Sequence, residues 1–349
     1  MPDLPAAEPR LQRRYLKLVV AHLTPVQRLA AGLHPPPSIA RPFAAVQAAW
    51  RFFANPRVKL PQLCGPLLAC AREELVDGAC DRYALVVLDW CPLHFNGQQS
   101  RDDRVTLAHH QDWGYDLLGA LLLSDRDGAP IAPLCLELRA ADGVHSTRED
   151  RVLNPLSRLD GLTPVIDEAA RFLASVSLTP TSPVRLTPLF ISDAEADSVG
   201  HYRRWDKDGH QFLVRADTQR KVLHDGCERS LSDVTKWMKR TGKAGKLKAI
   251  GHVRFKGDKL VEQFVGETLV LLHRPARTHR VDKRSGKRVH RDMPGPLLSV
   301  RLIVSELRDE RGKVLAKWLL LSNCPPSVSA PQLAQWYYWR WRIESFSRR

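Results

Sequence analysis

The chain has 349 residues, 44% of them hydrophobic and 26% charged, with 53 Lys or Arg against 38 Asp or Glu and a formal net charge of +15. A chain this long holds about two domains of ~150 residues each and enough apolar side chains for a real core, which excludes wholesale disorder. The positive balance favours a polyanionic partner, and nucleic acid over an anionic membrane, because the longest apolar runs, such as 117–123, fall far short of the ~20 residues a span needs.

The opening MPDLPAAEPR has no basic region followed by an apolar one, so it does not read as a secretory signal. Seven cysteines with no CxxC pair argue against a disulfide framework or a zinc ribbon and for a reducing compartment. All seven are expected to be small buried hydrophobes, and the protein is expected in the cytoplasm, near nucleic acid.

Residues 10–75 read as helical in three pieces, LQRRYLKLVVAHL (11–23), AAVQAAWRFFANP (44–56) and PQLCGPLLACAREEL (61–75). Their basic faces suit a small DNA-binding module or an ordinary helical cap. Composition shifts near Asp81, and YALVVL (83–88) is the continuous apolar run of a central strand buried on both faces. That strand is expected to end at Asp89. Segments 114–123 and 130–138 read as two more strands joined by the turn DRDG (125–128). A helix over 162–178, a strand over 186–191 ending at Ser192-Asp193, a helix over roughly 195–206 and a strand over 211–215 follow.

This order lets the first three strands form a meander and sends the fourth back through a helix to lie parallel to the first. A ribonuclease-H-like mixed α/β sheet has that order, and it would set Asp89 and Asp193 side by side. Each also has a plain reading, as an Asx turn or a helix cap. Glu195 and Asp197 read as helix N-terminal charges. His94, His109 and His110 lack ligand spacing and read as surface residues.

Residues 216–325 read as a β-rich insertion with segments at 249–255, 260–265, 267–273, 297–305 and 314–321. Within it, RPARTHRVDKRSGKRVHR (274–291) carries eight Lys or Arg against one Asp, either a solvated loop or a flexible phosphate-binding one. Arg284, Lys287 and Arg288 are its candidate DNA contacts.

The last stretch, QWYYWRWRIESFSRR (335–349), reads as one helix. At ~100° per residue, Tyr337, Arg340 and Glu344 share an arc of roughly 60°, and Trp336, Trp339, Ile343 and Phe346 lie opposite. Arg340 and Glu344 could be a surface i,i+4 pair worth at most about 0.5 kcal/mol. Alternatively the helix offers a metal-binding carboxylate beside two phosphate-contacting groups. With Asp89 and Asp193 it would complete three hard carboxylates, a set that suits two divalent ions.

The motifs together resemble the DDE transposases of insertion-sequence family 4, in the subgroup whose helix carries Tyr-x2-Arg-x3-Glu-x6-Lys. Tyr337, Arg340 and Glu344 match its first three members at the right spacing. SDAEAD (192–197) resembles the stretch holding the second aspartate, with Ala194 where an arginine is usual. FLVRAD (212–217), VVLDW (86–90) and WRFFANPRV (50–58) resemble the next strand, the first aspartate's strand and part of the N-terminal helical domain.

The resemblance implies a helical DNA-binding domain over 1–78, a ribonuclease-H-like catalytic core begun by 79–215, a β-rich insertion over 216–325 and a closing catalytic helix over 326–349. It implies cut-and-paste transposition, with cleavage and strand transfer on double-stranded DNA at element ends and target. Asp89, Asp193 and Glu344 would hold two Mg2+ ions, for which Mn2+ substitutes. Tyr337, Arg340 and Arg215 would contact DNA. The motif's lysine would fall at position 351, beyond Arg349, and the C-terminal helices through which such proteins form a synaptic homodimer would lie beyond it too. The chain therefore reads as a truncated transposase, whose alternative role is a non-catalytic DNA-binding remnant competing for element ends.

Overall fold

The computed structural model describes residues 8–23, 42–155, 157–177, 185–241, 246–255, 259–281 and 288–347. Three helices open it: α1 (Pro9–Leu23), α2 (Pro42–Phe53) and α3 (Leu60–Val76). α1 and α2 pack on each other, whereas α3 lies on the main sheet and buries Cys64, Ala71 and Leu75. Pro61 sits in its first turn, where a missing N–H costs nothing, and the Gln62 side chain accepts from the Lys59 N–H at 3.2 Å.

The next elements are β1 (Tyr83–His94), β2 (Val105–Thr106), β3 (Trp113–Ser124), β4 (Pro130–Ala140), β5 (Gly143–Ser146), α4 (Arg158–Ser177) and β6 (Thr187–Ser192). A 3-10 turn over Ala194–Ala196 leads into α5 (Val199–Lys207) and β7 (Gln211–Arg215). Then come β8 (Lys221–His224), β9 (Cys227–Ser230), α6 (Leu231–Thr241), β10 (Lys248–Phe255), β11 (Lys259–Leu272), β12 (Ala276–Val281) and β13 (Arg288–Met293). The described chain closes with β14 (Leu298–Arg308), β15 (Val314–Ser322), α7 (Ala330–Trp339) and α8 (Trp341–Ser347).

Thirteen strands form one open, mostly antiparallel sheet in the order β5-β4-β3-β1-β6-β7-β15-β14-β11-β8-β9, with β2 on β3 and β10 on β11. Among the described residues only the β1/β6 and β6/β7 pairs are parallel. The fold is thus mixed α/β, and the strands of the insertion extend the same sheet through the β7/β15 pair.

Alternation along β1 explains both layers. Val86, Leu88 and Trp90 join the core under α3, α4, α5 and α6, while Tyr83, Leu85 and Val87 join the core under α7 and α8. The same period turns Asp89 toward α7 and α8.

Several expectations need correction. β1 does not stop at Asp89 but runs to His94, because β3 continues to pair with it as far as Gly114. The helix expected over 195–206 is a 3-10 turn followed by α5, divided at Asp197-Ser198. Asp197 is no exposed N-terminal charge: its nearly buried carboxylate meets Arg220 at 2.6 Å and accepts from the Tyr202 hydroxyl at 2.8 Å. Glu195 does sit in the first turn, of the 3-10 helix, and is also ion-paired to Arg158 at 2.9 Å.

The segments expected at 260–265 and 267–273 are one strand, β11, which β14 pairs along most of its length. The basic stretch carries an antiparallel ribbon, β12–β13, rather than only a loop. The hairpin β8–β9 and α6 were not anticipated. No disulfide joins any of the seven cysteines, but Cys70 and Cys227 are exposed and Cys91 is half-buried, so only Cys64, Cys80, Cys135 and Cys324 are the buried hydrophobes expected of all seven. Among the described residues no helix is long and apolar enough to cross a membrane.

Candidate active site

Parallel pairing of β1 with β6 ends at Leu88 opposite Ser192. The next residue on each chain is an aspartate, so Asp89 and Asp193 emerge together where the shared ladder stops. Asp193 caps the 3-10 turn: its backbone is extended and its carboxylate accepts from the Ala194 N–H. The β6/β7 register sets Ser192 opposite Val214, which brings Arg215 alongside, and its Nε lies 2.8 Å from Asp193 Oδ1.

The closing helices are placed by three anchors. Ser329 caps α7, accepting from the Gln332 N–H at 3.3 Å. Buried Arg301 on β14 donates to the carbonyls of Pro325 at 3.0 Å and Val328 at 2.7 Å, fixing the approach to the helix. Trp336 Nε1 donates to the Asp125 carbonyl at 3.2 Å, and Trp339 packs on Gly128 of the same turn. Gly128 has φ +70°, and a Cβ there would lie 2.5 Å from the Trp339 ring, so this turn needs glycine twice over.

The single long helix expected over 335–349 is two helices. They meet at Arg340, where i→i+3 bonds from the Arg340 N–H to Tyr337 and from the Ile343 N–H to Arg340 tighten the backbone. The face expected to be polar and open is buried too. Tyr337 is 2% exposed and Arg340 is 2% exposed. On the apolar face Trp336 and Ile343 are buried and Trp339 is half-buried; Trp341, which lies next to the Tyr337 side of the helix, is exposed.

Arg340 is the centre of the site. Its Nη1 lies 3.1 Å from Asp89 Oδ2, and its Nη2 lies 3.4 Å from Asp193 Oδ2 and 3.0 Å from Glu344 Oε1. Three carboxylates from β1, the end of β6 and α8 are therefore gathered on one guanidinium. The i,i+4 pair with Glu344 exists, but it is one spoke of three. Among the described residues, no group of three or more His, Cys, Asp or Glu is arranged to hold a metal ion as it stands. Arg340 sits between the acids.

Titration follows from this geometry. Burial pushes the Asp89 carboxyl up to about 6, Arg340 opposes the rise, and Asp193, Glu344 and Glu195 add to it. Burial likewise raises the Tyr337 hydroxyl to about 12. Burial works against the Arg340 charge, but Tyr337, Asp89, Asp193 and Glu344 outweigh it and raise its pKa. The Tyr337 hydroxyl and Arg340 Nε are buried and make no well-formed hydrogen bond, although the Arg340 side chain lies within reach of the hydroxyl and opposes the rise in its pKa.

Tyr337, Arg340, Glu344, Asp89, Asp193 and Arg215 thus come together. Arg284 and Lys287 lie outside the described residues. Arg288 pairs with Val281 in the ribbon, and its side chain is likewise outside them. His94, His109 and His110 are exposed.

Two features escaped sequence reading. Arg158 joins Asp116 at 2.7 Å to Glu195 and lies over the Trp90 ring at 4.8 Å, tying α4 to the turn that holds Asp193. Beside α7 and α8, a cavity of about 670 Å3 is lined by Phe255, Trp318, Tyr338, Trp339 and Trp341 with Arg254 and Arg342. Its residues come from three separated segments, and no spacing in the sequence announces it.

No family model matches the chain, and no curated protein matches it.

Proposed function

We propose that this chain is a transposase that cleaves and joins double-stranded DNA at the ends of an insertion element, with a ribonuclease-H-like catalytic core. The observation that carries the reading is the convergence of Asp89, Asp193 and Glu344, distant in sequence, on one buried arginine beside the β1/β6 ladder end. The strand order β4-β3-β1-β6-β7, with β6 and β7 parallel to β1, supports such a core.

The donor set suits Mg2+ or Mn2+, since all three side chains offer hard oxygens. Arg340 meets all three carboxylates and Arg215 meets Asp193. Asp89, Asp193 and Glu344 would hold the ions. Bound ions would activate the attacking oxygen and stabilise the leaving one. The chain's own groups supply the rest. Tyr337 Oη and Arg340 Nε present donors for a phosphate oxygen. The aromatic cavity offers faces on which a base can stack, with Arg254 and Arg342 beside it for the backbone. The +15 balance draws the polyanion in.

The test is cleavage of a supercoiled plasmid carrying element ends, in Mg2+, by the wild type and by Asp89→Ala and Glu344→Ala. Loss of nicking in both variants is expected. Nicking that survives both changes refutes the metal site. Retention of end DNA without nicking by the wild type assigns the chain a non-catalytic binding role.

A further inference from the structure

We infer that Arg340 is the resident counter-ion of the carboxylate site, and that a divalent cation enters only as a phosphate draws the guanidinium away, so that cation and phosphodiester bind cooperatively. This rests on the proposed function and adds an order of events to it.

The geometry is specific to Arg340. Arg215 meets Asp193 alone among the three acids, whereas Arg340 meets all of them, at 3.0 to 3.4 Å. Its side chain is 3% exposed, so water screens these contacts little. Its two terminal nitrogens are committed to carboxylates, and a cation bridging the same oxygens would meet its charge directly. A divalent ion and the guanidinium therefore compete for one set of donors.

Arg340 has somewhere else to go. Its Nε makes no well-formed hydrogen bond, the Tyr337 hydroxyl has at most Arg340 itself beside it, and the ring of Tyr337 lies 5.9 Å and that of Trp341 5.4 Å from its guanidinium carbon. Trp341 and Arg342 border the aromatic cavity. A phosphodiester seated between Tyr337 and that cavity offers two anionic oxygens to the guanidinium, the bidentate partner arginine prefers. Each nitrogen turned to phosphate frees a carboxylate oxygen. By linkage, phosphate must then raise affinity for the cation by the same factor as the cation raises affinity for phosphate.

The experiment measures Mn2+ binding by electron paramagnetic resonance and by the rise in melting temperature, without DNA. Arg340→Gln removes the competing charge and is expected to bind Mn2+ at least ~10-fold more tightly than wild type, with a larger Mn2+-dependent rise in melting temperature. Arg340→Lys keeps one charge that cannot span three acids, and is expected to fall between. If Arg340→Gln folds only when Mn2+ is present, the inference stands, because cation replaces guanidinium. If it binds Mn2+ equally or more weakly than wild type, the inference is overturned. Asp89→Asn in the Arg340→Gln background separates the two levels of reading. If it abolishes Mn2+ binding while Arg340→Gln brings no gain, only the counter-ion role fails. If it leaves binding unchanged, the carboxylate site itself is not where cation binds, and the proposed function fails with it.

Discussion

Asp89→Asn tests the electrostatics of the site in the metal-free protein. The native carboxyl binds its proton at about 6, because burial and the neighbouring acids outweigh Arg340, whereas the unfolded chain binds it near 3.9. Between those values the native state holds more protons than the unfolded one, so stability falls as pH rises and the full cost is present above pH 6. At about 1.4 kcal/mol per tenfold in proton affinity, a rise from 3.8 to about 6 amounts to about 3 kcal/mol. The Asp89 side chain is 21% exposed, so solvent trims this to about 1–3 kcal/mol. Asparagine keeps an oxygen for Arg340 and drops the charge. In urea unfolding with EDTA, Asp89→Asn should be more stable than wild type by about that amount at pH 8 and should lose the advantage at pH 4. A variant less stable than wild type by the same amount at both pH values refutes the reasoning.

Gly128→Ala should lose about 2–5 kcal/mol in urea unfolding, from the left-handed backbone and from a Cβ driven into Trp339; a change under about 0.5 kcal/mol would show that the turn does not dock the closing helices. Arg301→Met should cost about 3–5 kcal/mol and raise amide exchange over 324–329, because buried carbonyls and Glu267 lose their partner. Trp341→Ala should change stability by less than about 1 kcal/mol, being 46% exposed, yet weaken binding of end DNA by about 1–3 kcal/mol in a fluorescence titration. Wild-type DNA binding should fall steeply between about 50 and 200 mM salt, and a flat response would remove phosphate contacts as its source.

The candidate site was legible where chemistry breaks a pattern. A carboxylate following an apolar run is conspicuous, so Asp89 and Asp193 could be found from one sequence, and helical spacing grouped Tyr337, Arg340 and Glu344. What one sequence hides is pairing across the sheet. The apolar run stops at Leu88 because β6 stops there, not because β1 does, and only the register with β3 reveals the continuation. Arg340 looked like half of an i,i+4 pair because its other two partners are more than a hundred residues away. The hairpin β8–β9 was legible and overlooked: Asp225-Gly226 both have positive φ, the turn that a DG pair between strands signals. Asp197 misled because an acid in the first turn of an expected helix reads as an N-terminal charge, while here it anchors the chain after β7 through Arg220.

The pairing of acids and arginines at this site bears on how the proposed substrate would be received. A phosphate brought to Tyr337 would stand close to carboxylates, and at ~4 Å a like-charge pair repels by about 4 kcal/mol when the effective dielectric constant is about 20. Arg340 and Arg215 together offset most of that negative charge. Once Arg340 turns to the phosphate, that cancellation is lost within the carboxylate set, and a second positive charge must replace it. A monovalent ion would only restore the starting balance of the carboxylate set, whereas a divalent ion would add one further positive charge to it. On the proposed reading, the arginine that holds the three acids together would therefore govern both the charge of the cation and the moment of its entry.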